Sequence, residues 1–183
     1  MNPIIMLCAA LVALPAAGLA YEKAFEGTKP RVIEVKTIPE RTLIVANRGG
    51  SYFEANNSMF GNLFRYIKDN DVSMTVPVKA DIEPGRMYFY VGEKDLKKDL
   101  RDTDSVKVIT EPARVVLSIG VRGGYSENNF EQAREKLFDH LAASEEWKKS
   151  GAAYAIFWNG PYVPALMKRF EVHVPVEPKE KDE

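Results

Sequence analysis

The sequence lacks the residues from which most disulfides and small metal sites are built. Its one cysteine, Cys8, lies in the first 20 residues, and its two histidines are His140 and His173. A disulfide needs two cysteines, and a structural zinc site needs about four cysteine or histidine ligands. The composition therefore excludes a disulfide within the chain, and we expect no zinc site.

An excess of charge of either sign is also missing. The sequence has 25 Lys and Arg against 26 Asp and Glu. Nucleic-acid binding needs a clustered basic surface, and a phosphate-binding loop needs further Gly or Lys at fixed offsets within a parallel βαβ unit. Neither pattern is present, so we expect neither nucleic acid nor a nucleotide as a partner.

The first 20 residues contain no charged side chain at all. Residues 4–20 are an apolar run that ends in Gly18-Leu19-Ala20, a pattern typical of a secretory signal cleaved before Tyr21. An apolar run of about 17 residues also approaches the length that spans a bilayer, so an uncleaved anchor is the alternative. We expect a periplasmic or secreted protein, with membrane anchoring through residues 4–20 as the second interpretation.

The rest of the chain contains a two-copy internal repeat. The triplet Arg48-Gly49-Gly50 recurs as Arg122-Gly123-Gly124, a shift of 122 − 48 = 74 residues. The same shift places Leu63 on Leu137 and Phe64 on Phe138. We therefore predict repeats at about 30–91 and 104–176, after a linker at 21–29 and before a charged, frayed tail at 177–183.

Each repeat is predicted to be a ββαββ unit. Two β-rich stretches separated by a Pro-containing turn indicate a hairpin, 31–38 with 42–47 and 105–111 with 114–121. The Gly pair follows, then a helix, then two closing strands, 76–82 with 86–91 and 154–158 with 168–174. The fold class is thus α+β, an antiparallel sheet from two pseudo-symmetric repeats with two helices on one side.

The two Arg-Gly-Gly units are predicted to be structural. Each lies where a strand turns into a helix, a corner that needs positive φ or close chain approach. In both helices apolar residues recur at helical spacing and predict a core-facing stripe. These residues are Phe60, Leu63, Phe64 and Ile67 in the first helix, and Phe130, Ala133, Leu137 and Leu141 in the second.

Strand alternation selects the residues on the sheet face away from the helices. This face gathers aromatic rings, one carboxylate and one imidazole, a composition typical of a small-molecule site. The residues are Tyr88, Tyr90, Tyr154, Trp158, Glu171 and His173. The alternative is that the tyrosines are ordinary strand residues and that Glu171 and His173 face solvent.

Two chemical roles are conceivable on this face. Burial among aromatic rings would raise the pKa of Glu171 and make it a candidate general base for a small hydrophobic substrate. His173, two residues from Glu171 on the same strand face, is the candidate iron ligand because His140 adjoins the buried helix stripe.

Two segments carry a family resemblance. The stretch NLFRYIKDNDVSMTVPV at 62–78 resembles the signature of SOUL haem-binding proteins, and YAIFWNGPYVPALMKRFEVHVPV at 154–176 is similar to their closing segment. The resemblance covers about residues 30–176 and implies the duplicated ββαββ fold that this family shares with gyrase-inhibitor-like ligand-binding domains.

The resemblance implies a non-enzymatic carrier or buffer that binds haem or another tetrapyrrole reversibly beside the first helix. Phe60 and Phe64 would correspond to the family's haem-contacting residues, and Arg65 would pair with a propionate. Some members use an axial histidine near the start of the domain, whereas here no histidine precedes His140. Helix-bound haem would therefore have no histidine ligand at that place.

The gyrase-inhibitor-like relatives imply a different site. Their ligands lie in a groove between the two halves, against a glutamate that corresponds to Glu171, and some of these relatives are hydrolases. The alternative function is therefore a hydrolase-like enzyme that acts on a small hydrophobic ligand in the inter-repeat groove, with Glu171 as its base.

Overall fold

A computed structural model describes residues 21–47 and 49–180, and these form an α+β fold. The first half contains β1 (Glu22–Lys23), β2 (Ile33–Ile38), β3 (Arg41–Asn47), α1 (Tyr52–Asp69), β4 (Thr75–Val76), β5 (Val78–Asp81) and β6 (Arg86–Tyr90). The second half contains β7 (Lys107–Glu111), β8 (Arg114–Arg122), α2 (Glu127–Ala142), β9 (Trp147–Lys149), β10 (Tyr154–Phe157) and β11 (Arg169–Pro178).

The strand order of the main antiparallel sheet is symmetric with respect to the two repeats. Its strands follow the order β2-β8-β11-β10-β5-β6-β3-β7, with β9 added to the end of β11. Exchanging each strand for its equivalent in the other repeat reproduces this order in reverse. The pseudo-twofold axis therefore passes between β5 and β10, which confirms the two-repeat prediction.

The two predicted amino-terminal hairpins are wrong. β2 pairs with β8 of the other repeat, in the register Ile33↔Ile119, and β7 pairs with β3, in the register Thr42↔Thr110. The first strand of each repeat thus pairs with the second strand of the other repeat. Sequence periodicity identifies a strand but does not identify the strand with which it pairs. A short Pro-containing turn is compatible both with a hairpin and with this exchanged pairing.

A glycine turn precedes each helix, as the repeat predicts, and each helix begins at a serine cap. The Ser51 hydroxyl accepts a hydrogen bond from the Phe53 amide, and the Ser126 hydroxyl accepts one from the Asn129 amide. Among the preceding glycines, Gly49, Gly50 and Gly123 have φ of 69°, 71° and 141°. These angles favour glycine, so the structural interpretation of the glycine pairs is confirmed.

The predicted apolar stripe is confirmed in α2 and only half correct in α1. All four α2 residues are buried. In α1, Leu63 and Ile67 are buried, whereas Phe60 and Phe64 keep 37% and 41% of their surface exposed. The core contacts come instead from Met59 and from Tyr66, whose hydroxyl donates to the carbonyl of Arg101.

The sheet has one face under the helices and one face under the amino-terminal segment. Phe170 and Val172 belong to the large core beneath α1 and α2. Their neighbours Glu171 and His173 point the other way, as strand alternation predicts, and both are fully buried. What buries them is the segment 22–31, called the strap below, which runs across the second face.

The strap enters and leaves the face by close backbone contact. β1 pairs in parallel with β4, and Pro30 forms a bridge with Gly120 of β8. A Cβ atom at Gly120 would lie 2.3 Å from the carbonyl oxygen of Lys29, so no other residue fits beneath the crossing. The stretch predicted as a linker is therefore packed structure.

The predicted tail is shorter than expected. β11 continues through Glu177 and Pro178, which pair with Lys148 and Trp147 of β9. The proposed signal or anchor at 1–20 lies outside the described residues. No helix among residues 21–47 and 49–180 is long and apolar enough to cross a membrane.

Candidate ligand-binding site

The structure brings the predicted face residues together around the centre of the sheet. Tyr154 lies beside His173 and Ile156 beside Glu171, in register between β10 and β11. Tyr88 and Tyr90 form a second cluster on the same face with Leu43 and Ala24. The predicted set is therefore correct as a neighbourhood, although the face is closed rather than open.

Phe25 of the strap fills the space between the aromatic side chains. Its ring centroid lies 5.6 Å from that of Tyr90, 5.7 Å from that of Trp158 and 6.1 Å from that of His173. The first two contacts are edge-to-face, the arrangement that aromatic pairs favour. The Lys36 ammonium lies 5.4 Å from the same ring. The protein's own chain thus occupies the groove.

Glu171 is the polar centre of the closed groove and accepts five hydrogen bonds. One carboxylate oxygen accepts from the Thr28 amide at 2.8 Å and from the Trp158 indole at 2.6 Å. The other accepts from Lys36 at 2.6 Å, from His173 at 2.7 Å and from the Ser118 hydroxyl at 3.0 Å. Both oxygens are therefore saturated, and two of the five donors belong to β2 and the strap.

The prediction that burial raises the pKa of Glu171 is wrong. Burial does oppose ionisation, but the hydrogen bond from His173 and the ammonium of Lys36 together outweigh it. The pKa of Glu171 is lowered to about 2. A carboxylate held ionised by five donors is a weak base, because its lone pairs are already engaged.

His173 is a neutral member of the same network. Burial lowers its pKa, and the interaction with Glu171 only partly opposes this shift. Because an ionised carboxylate can only accept, Nε2 carries the proton, and Nδ1 then accepts from the Tyr154 hydroxyl at 3.2 Å. Both ring nitrogens are engaged, so the folded site offers no free His173 nitrogen to iron.

A second buried cation lies on the first-repeat side of the axis. The Lys79 ammonium contacts Glu111 at 2.5 Å and Asp81 at 3.9 Å, and lies 4.3 Å from the Tyr88 ring. The Tyr88 hydroxyl donates to Asp81 at 2.5 Å. Tyr88 is thus part of a satisfied structural network.

Sequence reasoning missed four polar residues of this interior: Thr28, Lys36, Lys79 and Ser118. Lys79 lies between Val78 and Ala80, so alternation along β5 places it on the second face. Lys36 and Thr28 gave no such signal, because their burial depends on the exchanged pairing of β2 and on the strap.

The predicted helix residues form a separate, exposed site, called the α1 patch. The rings of Phe60 and Phe64 are stacked, with centroids 5.8 Å apart and planes 13° from parallel. Lys68 lies over the Phe64 ring at 5.4 Å, and Arg65 is exposed beside it. Two flat rings, one of them with a lysine ammonium over it, are thus presented on α1, and the exposed Arg65 follows Phe64 directly in the sequence.

The described residues contain no cluster of three potential metal-ligating side chains. His140 is exposed on α2 and His173 is enclosed in the groove. A ligand on the α1 patch would therefore be held by ring contact and charge, because neither histidine lies on α1.

A family model described as SOUL heme-binding protein matches residues 20–175 of the chain. No curated protein matches it at a significant level.

Solved structures show the same fold at low sequence identity. The EcmrR C-terminal domain is 12% identical with a TM-score of 0.63, over 80% of this chain and 97% of that one. EcmrR in a DNA complex is 11% identical with a TM-score of 0.64, over 80% of this chain and 57% of that one. A hydrolase from Listeria innocua is 15% identical with a TM-score of 0.52, over 82% and 94% of the two chains. This chain thus spans about three fifths of the full EcmrR chain.

Proposed function

Because the chain belongs to the SOUL heme-binding protein family, we propose that it binds haem or a related tetrapyrrole reversibly on the α1 patch, as a carrier or buffer rather than as an enzyme. The observation that carries this proposal is the exposed, stacked pair Phe60 and Phe64. Two adjacent exposed aromatic rings form an apolar surface patch, and such patches are typical of binding sites because a bound ligand removes them from water.

The chemistry of the patch fits a tetrapyrrole. The macrocycle is a flat apolar surface that bears carboxylates at one edge, and the patch offers two nearly parallel rings with the Lys68 ammonium over one of them. Arg65 can hold a carboxylate through two parallel hydrogen bonds, and Lys68 adds a second positive charge. When bound, haem supplies the iron chemistry, and these side chains only hold and orient it.

The closed groove gives less support to an enzyme. A general base needs a free lone pair and a pKa near the working pH, and Glu171 has neither, since its pKa is about 2. The likeness to the Listeria innocua hydrolase, at 15% identity, concerns the fold alone. We therefore assign Glu171 a structural role.

A haemin titration of the purified protein, followed at the Soret band, tests the proposal. We expect saturable binding, and we expect the double variant Phe60→Ser, Phe64→Ser to weaken it at least tenfold. Tyr162→Ser removes an aromatic ring that is 98% exposed elsewhere and is the matched control. Equal affinity in both variants would remove the α1 patch from consideration.

His173→Ala separates the patch from the groove. We expect its Soret maximum with haemin to match that of the unmodified protein, because His173 has no free nitrogen and lies on the opposite sheet face. Circular dichroism confirms that the variant is folded. A displaced Soret maximum in the folded variant would instead place haem in the groove.

A further inference from the structure

A third region of the surface is distinct from both the α1 patch and the closed groove. It is a cleft of about 990 Å³ between α2, the end of β8 and the chain just before β2. Small-molecule sites have volumes of about 300–1,000 Å³, so the cleft is large enough to hold an organic ligand.

The cleft is basic, although the protein as a whole is nearly neutral. Arg31, Arg122 and Lys136 line it, and none of the described lining residues is acidic. None of these three cations makes an ion pair with a described residue. Moreover, Arg122 lies directly opposite Arg169 in the β8–β11 register, where two like charges repel. A bound anion would neutralise these positive charges.

One of the cations is held in an unfavourable backbone conformation. Arg31 has a φ of 69°, which is uncommon for a residue with a side chain. Its amide donates to the Gly120 carbonyl at 2.7 Å, and the next amide, that of Val32, donates to Lys29 at 3.1 Å. The crossing of the strap over β8 thus fixes Arg31 at the mouth of the cleft.

The rest of the cleft is largely apolar. Ile33, Ile119, Val121 and Ala133 contribute to its lining from the strands and α2. Leu166 also lines the cleft and is 86% exposed, an unusual position for an apolar side chain. The lining therefore complements a molecule that has an alkyl chain and an anionic head group. The strand and α2 residues and Leu166 can contact the alkyl chain, and the three unpaired cations can bind the head group.

We propose that this cleft binds a single-chain amphipathic carboxylate, of the size of a fatty acid. The head lies among Arg31, Arg122 and Lys136, and the alkyl chain lies on the apolar floor beneath Leu166. Guanidinium groups suit a carboxylate because they can donate two parallel hydrogen bonds to it. This site is independent of tetrapyrrole binding on α1.

Calorimetric titration with dodecanoate, below its micelle concentration, tests the proposal. We expect saturable one-to-one binding, weakened at least tenfold in the double variant Arg122→Gln, Lys136→Gln. The control is Lys94→Gln, Lys97→Gln, which removes the same charge from exposed positions of a short 3₁₀ helix and the turn after it, remote in sequence from the cleft residues. Dodecyltrimethylammonium, with the same chain and the opposite charge, should not bind saturably.

Three results would overturn the proposal: no saturable heat with dodecanoate, equal binding of the ammonium compound, or equal losses in the two double variants. The proposals for the haem site and for the carboxylate site can be contradicted independently. Phe60→Ser, Phe64→Ser should keep its dodecanoate affinity, and Arg122→Gln, Lys136→Gln should keep its haemin affinity.

Discussion

At the scale of single residues, Glu171 shows how a buried charge can be structural. Replacing its carboxylate by an amide leaves at least two of the five donors facing an NH₂ group, and it removes the partner of the Lys36 ammonium. Breaking a buried ion pair from one side costs about 3–5 kcal/mol. The groove would therefore lose stability rather than gain reactivity.

We expect Glu171→Gln to lower the free energy of unfolding by about 3 kcal/mol, as measured by urea denaturation. Glu34→Gln, at an exposed position of β2, is the matched control and should change it by less than about 0.5 kcal/mol. A stable Glu171→Gln protein would mean that the five-donor network contributes little to folding.

The same network predicts how stability depends on pH. His173 has a lowered pKa, so its contribution is complete above the ordinary value of 6.5 and declines as pH falls below it. Glu171 has a pKa lowered from 4.5 to about 2, so its contribution declines below pH 4.5. Unfolding free energy should therefore fall in two stages on acidification. His173→Gln should remove the upper stage, and unchanged curves between pH 7 and 5 would contradict the assignment.

At the scale of elements, the strap is the feature that sequence reasoning could not reach. Strand alternation correctly placed Glu171, His173 and Tyr154 on one face, because the period of two is written in the local sequence. Nothing local marks 22–31 as the cover of that face. Its contacts join residues far apart in the sequence, and Phe25 and Trp158 are separated by 158 − 25 = 133 positions.

Two glycine substitutions test the strap crossing. Gly120→Ala would place a methyl group 2.3 Å from the Lys29 carbonyl oxygen, so we expect a loss of about 2–3 kcal/mol in unfolding free energy. Gly61→Ala lies in the interior of α1 with nothing within 4 Å and should stabilise the protein by about 0.5–1 kcal/mol. Chemical denaturation of both variants measures the difference. A neutral Gly120→Ala would show that the strap can shift without cost.

At the scale of the whole molecule, the exchange of β2 and β7 joins the two repeats into one folding unit. β2 finds its partner in β8 and β7 finds its partner in β3, so neither half retains its outer strand alone. The repeat, the strand and helix types and the antiparallel sheet could be predicted from periodicity. The exchange could not, since a short turn before β3 is equally compatible with a hairpin and with a chain that crosses to the other half.

We expect one cooperative unfolding transition. Both tryptophans, Trp147 and Trp158, lie in the second repeat, and although Trp158 also contacts Phe25 of the strap, neither lies in the repeat that contains Leu63. Leu63→Ala truncates a fully buried side chain of α1 in the first repeat and should lower stability by about 3 kcal/mol. If the halves unfold together, the tryptophan transition shifts as far as the circular dichroism transition. A fluorescence midpoint that stays in place would show independent halves.

The palindromic strand order has a geometric consequence for the origin of such a sheet. Two separate copies of one ββαββ chain, related by a two-fold axis, would form the same strand pairings as a homodimer that exchanges its first strands. Once the two copies are fused into one chain, equivalent positions of the two repeats can carry different residues. Here Phe64 has a counterpart in Phe138, but Phe60 corresponds to Arg134 under the 74-residue shift, 134 − 60 = 74, so the stacked ring pair of the α1 patch is not duplicated on α2. A fused dimer can thus present one such patch where a symmetric one would present two.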